Sequence, residues 1–145
     1  MYRKERLDEY KDGIKISFQG TTIGYGQKTT VDKTSKMPGI EYDKVPGKYY
    51  TVIMVDPDAP SPTSPTFRYF LHVLIVNQSL ESSGDIINEY TGPSPPIGIH
   101  RYYICILEQK KFIKPMSEYE RKNFPIINFA SEHDLNPIHC TKFLV

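Results

Sequence analysis

Neither sign of charge dominates this sequence. Eighteen lysines and arginines face seventeen aspartates and glutamates, for a formal net charge of +1. A dedicated nucleic-acid binder carries a clear basic excess, so no nucleic-acid partner is expected, and there is no general pull toward anionic membranes. Long apolar runs are missing as well. Stretches such as residues 73–76 fall far short of the roughly 20 residues a membrane helix needs, so no stable membrane insertion is expected. Met1, Tyr2, Arg3, Lys4, Glu5 and Arg6 lack the apolar segment of a secretory leader, which predicts a cytoplasmic protein. Cysteine is scarce. Cys105 and Cys140 have no metal-ligand spacing; in a reducing compartment both are expected as free thiols, with Cys105 buried in an apolar run. No HExxH or comparable ligand spacing occurs, and no Ser or Cys sits in a recognisable nucleophile context. No catalytic residue, metal or cofactor is therefore expected.

What is present points to strands and turns. The chain has 12 prolines, 9 glycines and 11 tyrosines. Its 145 residues fit one domain, residues 1–145. Ile14, Ile16 and Phe18 alternate with Lys15 and Ser17, as in a half-buried strand. Residues 20–26 carry turn signals, and residues 27–47 are polar and punctuated by Pro38-Gly39 and Pro46-Gly47. Three β-branched and aromatic runs follow, at residues 48–55, 68–77 and 99–108, and read as buried strands. Residues 138–145 close as a final strand. Short helices are predicted over 116–122 and 125–132, the second with Pro125 at its first position. The predicted fold class is mainly β: two packed sheets with Greek-key connections and one or two short helices.

The polar residues that interrupt the three strong strands are the informative ones. Residues two apart on a strand share a face. Asp56 thus continues the row of Tyr50, Val52 and Met54. His72 falls on the row of Phe70, Leu74 and Val76, and His100 on that of Tyr102, Ile104 and Ile106. Asp56 ends its strand, whereas His72 and His100 lie near the starts of theirs. If the first strand runs antiparallel to the other two, all three meet at one end of the sheet. Two proline-dense loops, residues 56–66 and 92–98, would wall that end as a rigid rim. Two imidazoles with exposed backbone N–H groups favour an anion such as phosphate, and the Asp can orient a His or accept from a ligand amine. Asp58 reads as a structural Asx turn and Arg101 as a structural salt bridge; His133 and His139 read as surface residues.

Residues 56–77, DPDAPSPTSPTFRYFLHVLIVN, and 92–109, GPSPPIGIHRYYICILEQ, resemble the two signatures of the phosphatidylethanolamine-binding family. This family includes the Raf kinase inhibitor protein and the plant flowering regulators. The similarity spans roughly residues 14–143. It implies a two-sheet β fold with a small pocket for phosphate or phosphorylated headgroups. Carried over by motif position, the implied ligand-binding residues are Asp56, Ala59, Pro60, His72, Ser94, Pro96, His100 and Tyr102. The family often has a cis bond at the place of Arg68–Tyr69. Ser94 stands where many animal members have Gly, and no Trp fills the family's large aromatic position near Phe70–Leu71. The C-terminal helix that borders the pocket in animal members has no counterpart by Val145, which would leave the pocket more open.

The resemblance implies a non-enzymatic binder of phosphate or phospholipid headgroups that acts as a signalling regulator. The alternative is a protein-interaction regulator that inhibits a kinase or protease without needing the pocket. A metal-dependent hydrolase using the two His and the Asp ranks third.

Overall fold

The computed structural model describes residues 12–145; the charged segment at residues 1–6 lies outside the described residues. A three-stranded sheet is built from β1 (Ile14–Phe18), β2 (Thr21–Ile23) and β3 (Gly39–Tyr42), with β1 in the middle. A five-stranded sheet follows: β4 (Tyr49–Asp56), β5 (Phe70–Gln78), β6 (Asp85–Asn88), β7 (Arg101–Gln109) and β8 (Asn136–Leu144). Its spatial order is β6-β5-β4-β7-β8, with every pair antiparallel. One α-helix, α1 (Ile126–Glu132), and a 3-10 turn at Asp32–Thr34 complete the regular structure of the described residues. None of their helices is long and apolar enough to cross a membrane.

The continuous apolar runs of β4, β5 and β7 have a simple cause: the larger sheet is covered on both faces. One face carries Tyr50, Val52, Met54, Val73, Ile75, Tyr102, Ile104 and Ile106, packed against Ile16 and Phe18 of the smaller sheet. The other carries Ile53, Val55, Leu71, Leu74, Val76, Tyr103 and Leu107, packed against Phe124 and the buried side of α1, Ile126, Phe129 and Ala130. The outer edge of β8 is covered near its end. Gly26 and Thr29 donate backbone hydrogen bonds to the carbonyls of Lys142 and Leu144, and Leu144 donates to the Gln27 carbonyl, so this stretch offers no free template to another strand.

Residues 116–122 form no helix, contrary to the sequence expectation. Side-chain amides of the sheet hold this segment extended instead. Asn88 accepts from the Tyr119 N–H at 3.0 Å and donates to its carbonyl at 2.9 Å. Asn77 does the same for Ile113, at 2.8 and 2.6 Å. Two buried asparagines thereby replace the hydrogen bonds a helix or a strand partner would have given. The helix over 125–132 does form, with Pro125 as its N-cap rather than its first turn. Strands β2 and β3 lie where turns and polar connection were expected, and β6 lies in a stretch for which no element was expected.

The cysteines also differ from expectation. Cys105 and Cys140 face one another across β7 and β8, 4.1 Å apart at Cα, and form a disulfide. Directly opposed, non-hydrogen-bonded positions bring side chains close enough to bond. Sequence alone could not place them opposite each other, so the free-thiol expectation is corrected. A bonded pair of this kind persists in oxidising compartments.

Candidate functional site

The antiparallel placement of β4 between β5 and β7 brings the end of one strand to the starts of the other two. Asp56, His72 and His100 meet there, each at most 4% exposed. Asp56 and His100 form a closed unit. The Asp56 Oδ2 lies 2.6 Å from His100 Nδ1, and its Oδ1 accepts the Asp58 N–H at 2.7 Å. His100 Nε2 is 2.8 Å from the Ile97 carbonyl. A carbonyl only accepts, so Nε2 carries a hydrogen. The remaining proton sits either on Nδ1, giving an ion pair, or on Asp56, giving a neutral pair; both sum to zero charge. Burial pushes the Asp56 carboxyl above its usual value, against the bonds from His100 and Asp58 that pull it down.

His72 reaches the same place by a different route. Strict alternation would set it with Leu74 and Val76, which belong to the opposite core layer. The pairing of β4 with β5 instead steps from Met54↔Val73 to Val55↔Leu71, leaving His72 as the extra residue of a β-bulge. A bulge re-aims a side chain. Here it turns the imidazole against Phe70 and Tyr102, at ring-centroid distances of 5.0 and 5.3 Å. Its Nδ1 lies 2.6 Å from the Thr91 carbonyl and must therefore donate. Its Nε2 is buried and has no protein partner. Burial is the main cause that pushes the imidazole down to about 4; the Thr91 bond opposes this, and the nearby Arg121 and His100 add to it. His72 is thus neutral at physiological pH, with a bare acceptor nitrogen. Among the expected donors to an anion, His100 has both ring nitrogens engaged and His72 offers a lone pair.

Arg121 fixes the bulge, and sequence reasoning missed it. Its carbonyl accepts the Leu71 N–H at 2.8 Å. Its guanidinium donates to the carbonyls of Leu71, His72 and Glu89 at 2.9, 3.1 and 2.6 Å. No signal in the sequence ties Arg121 to His72, because the link runs through backbone groups 50 residues away.

The eight residues singled out in the sequence, Asp56, Ala59, Pro60, His72, Ser94, Pro96, His100 and Tyr102, all line one cavity of about 250 Å3. Phe67, Phe70, Thr91 and the exposed Lys122 line it too, and were not anticipated. The Lys122 ammonium sits 4.4 Å from the Phe67 ring centre, a cation–π contact at the rim. Tyr102 stacks between His100 and Phe143, with burial and then Asp56 holding its phenol well above the usual value. Asp56 keeps its expected place beside His100, and the Asx turn expected of Asp58 falls to it as well, whereas Asp58 is the partner in the salt bridge expected of Arg101. Asp56 makes the Asx turn, while Asp58 binds Arg101 through Nε at 3.0 Å, Nη2 at 2.8 Å and the backbone N–H at 2.8 Å. Asp58 does not line the cavity. Burial raises its carboxyl, but the Arg101 bonds outweigh this and leave it below the usual range. Ala59–Pro60 and Arg68–Tyr69 are both cis, the latter where the resemblance implied it. His133 and His139 are half-buried rather than exposed. Among the described residues, no group of three or more His, Cys, Asp and Glu could hold a metal ion.

Comparison with known proteins gives a consistent result. The family model described as phosphatidylethanolamine-binding protein matches residues 11–142. "Protein MOTHER of FT and TFL1 homolog 2" of Oryza sativa subsp. japonica is 46% identical over 92 residues, covering 59% of this chain and 53% of that protein. The Drosophila melanogaster protein provisionally named odorant-binding protein A5 is 31% identical over 144 residues, covering 90% of this chain and 69% of that protein. The chain thus spans about half the length of the rice relative. Among solved structures, a carboxypeptidase Y inhibitor complexed with its cognate proteinase superposes with a TM-score of 0.79 at 18% identity, covering 99% of this chain and 95% of that one. At that identity the likeness concerns the fold alone.

Proposed function

Because the chain belongs to the phosphatidylethanolamine-binding protein family, we propose that it binds phosphate or a phosphorylated headgroup in the cavity beside Asp56, His72 and His100, as a non-enzymatic regulatory module. The observation that carries this reading is that His72 lines that cavity while its buried Nε2 has no protein hydrogen-bond partner. A buried polar atom left without a hydrogen bond costs about 1–3 kcal/mol. A ligand that supplies the bond recovers that cost, and Lys122 at the rim offers positive charge to an anion. The apolar walls from Pro60, Phe67, Phe70 and Pro96 suit a small, shaped pocket with few polar contacts.

A protein partner is the second reading, and one observation favours it. Ile97 and Ile99 stand 65% and 50% exposed beside the cavity mouth, surface that a contacting protein would cover. The carboxypeptidase Y inhibitor is one example of this fold in complex with a proteinase.

Thermal melting in phosphate and in O-phosphoethanolamine tests the leading reading. Saturation at a hundred times Kd should raise stability by about 2.7 kcal/mol, and His72→Ala should remove most of the gain. A wild-type protein indifferent to both ligands would rule the reading out. Partner binding that survives the loss of His72 and His100 would favour the second.

A further inference from the structure

The cavity wall carries one uncompensated charge, and that charge sits on a movable side chain. Of the lining residues, Asp56 and His100 form a buried pair that sums to zero, and burial keeps His72 neutral. This leaves the Lys122 ammonium. The backbone beneath it is fixed on both sides. The Arg121 carbonyl accepts the Leu71 N–H at 2.8 Å, Asn123 donates to the Phe67 carbonyl at 3.2 Å, and Phe124 donates to the Tyr69 carbonyl at 2.8 Å. The Asn123 side chain adds a bond to the Thr66 carbonyl at 2.8 Å. The Lys122 side chain has no such anchor. It is exposed, and its ammonium rests on the Phe67 ring. The ion pairs among the described residues do not include it. The nearby guanidiniums are committed: Arg121 to three backbone carbonyls, Arg68 to the Pro57 carbonyl at 2.6 Å, and Arg101 to Asp58. An ammonium on an exposed ring face is held weakly, whereas one bonded to an anion in a partly dry mouth is held more firmly. The flexible four-carbon stem of lysine lets the same group serve either partner. Phe67 lines the cavity too, so the ring and an occupant compete for one ammonium from adjoining positions.

Resting on the phosphate reading above, we propose that Lys122 is a closing arm: it lies on Phe67 while the pocket is empty, then leaves the ring to pair with the phosphate of an occupant and narrows the mouth behind it. The feature it recognises is a phosphate oxygen bearing negative charge, which inorganic phosphate and a phosphodiester headgroup share. The anchored backbone sets where the arm pivots, and Phe67 holds the ammonium beside the opening between binding events.

Two readouts on the full chain test this. The first is the 1H–13C spectrum of the lysine ε-methylenes. One signal, missing in Lys122→Gln, should stand upfield through the ring current of Phe67 and return to the ordinary lysine position in Phe67→Leu. Saturating the wild type with inorganic phosphate, or with glycerophosphoethanolamine as the headgroup source, should move that signal to the ordinary position as well. The second readout is titration calorimetry. Lys122→Gln should bind the same probe at least about tenfold more weakly than wild type, and Lys122→Arg should stay within about threefold. Wild-type affinity should fall with added salt more steeply than that of Lys122→Gln. A signal that stays upfield at saturation, or a glutamine variant that binds as tightly as wild type, overturns the arm and leaves the phosphate reading standing. Wild-type protein that binds neither probe overturns both. Release of the signal by only one probe supports the arm and tells free phosphate from a headgroup.

Discussion

Arg121 donates to the carbonyl of His72 while its own carbonyl accepts the N–H of Leu71, so one residue clamps both sides of the bulge that aims the pocket histidine. The clamp acts on shape and on charge together, since the guanidinium also helps keep the His72 ring neutral.

Arg121→Ala removes a donor from the carbonyls of Leu71, His72 and Glu89, of which His72 keeps the Thr91 N–H at 2.9 Å. Urea unfolding should show a loss on the order of 2–3 kcal/mol, and the phosphate response should weaken more than this loss of stability explains. Arg121→Lys keeps the charge but not the fork and should restore only part of either. A variant with unchanged phosphate affinity would show that the bulge holds its shape without the clamp.

Stability should fall as the pH drops from about 6.5 to about 4. The unfolded chain protonates His72 near the ordinary 6.5, whereas the folded ring resists down to about 4. In that window the unfolded state binds more protons, so stability rises with pH, and the full effect is about 3 kcal/mol. Comparing denaturation of wild type and His72→Gln at pH 7 and pH 4.5 isolates it. Parallel losses in the two proteins would assign the slope to other groups.

Removal of the Cys105–Cys140 bond should lower the melting temperature without changing the fold. The bond closes a loop spanning 35 residues of sequence, worth about 4 kcal/mol in the chain-entropy model. Alkylation in denaturant should label neither cysteine before reduction and both after it. Full labelling of unreduced protein would show that the thiols are free in the cells used for expression.

Asp56→Asn should be milder than Asp56→Ala. The amide can still accept from the Asp58 N–H and donate to His100 Nδ1, which fixes His100 as the neutral tautomer. Alanine abandons both groups in a buried setting, at roughly 2 kcal/mol or more. Equal destabilisation by the two substitutions, followed by circular dichroism during denaturation, would mean that the carboxylate charge matters beyond its bonds.

Much of this architecture is legible in local sequence, and what is not has identifiable causes. The runs YYTVIMV, FLHVLIV and YYICIL announce β4, β5 and β7 because both faces of those strands are buried. The row of Asp56 and that of His100 follow from simple alternation. His72 arrives in the pocket against alternation, through a bulge that no propensity reveals. The short edge strands β2 and β6 depend on their neighbours for pairing rather than on their own composition. Residues 116–122 contain enough helix formers to suggest a helix, yet Asn88 and Arg121 tie them to the sheet. The disulfide required a register that only the folded sheet provides. In each of these cases the deciding contact is remote in sequence.

Val145 is tied to one of the residues that line the cavity. Val145 exchanges two backbone hydrogen bonds with His100, at 2.8 and 3.2 Å. This two-bond anchor holds the end of β8 against the start of β7, so Val145→Pro, which leaves no N–H to give, should loosen His100 and the cavity it lines without touching any lining side chain.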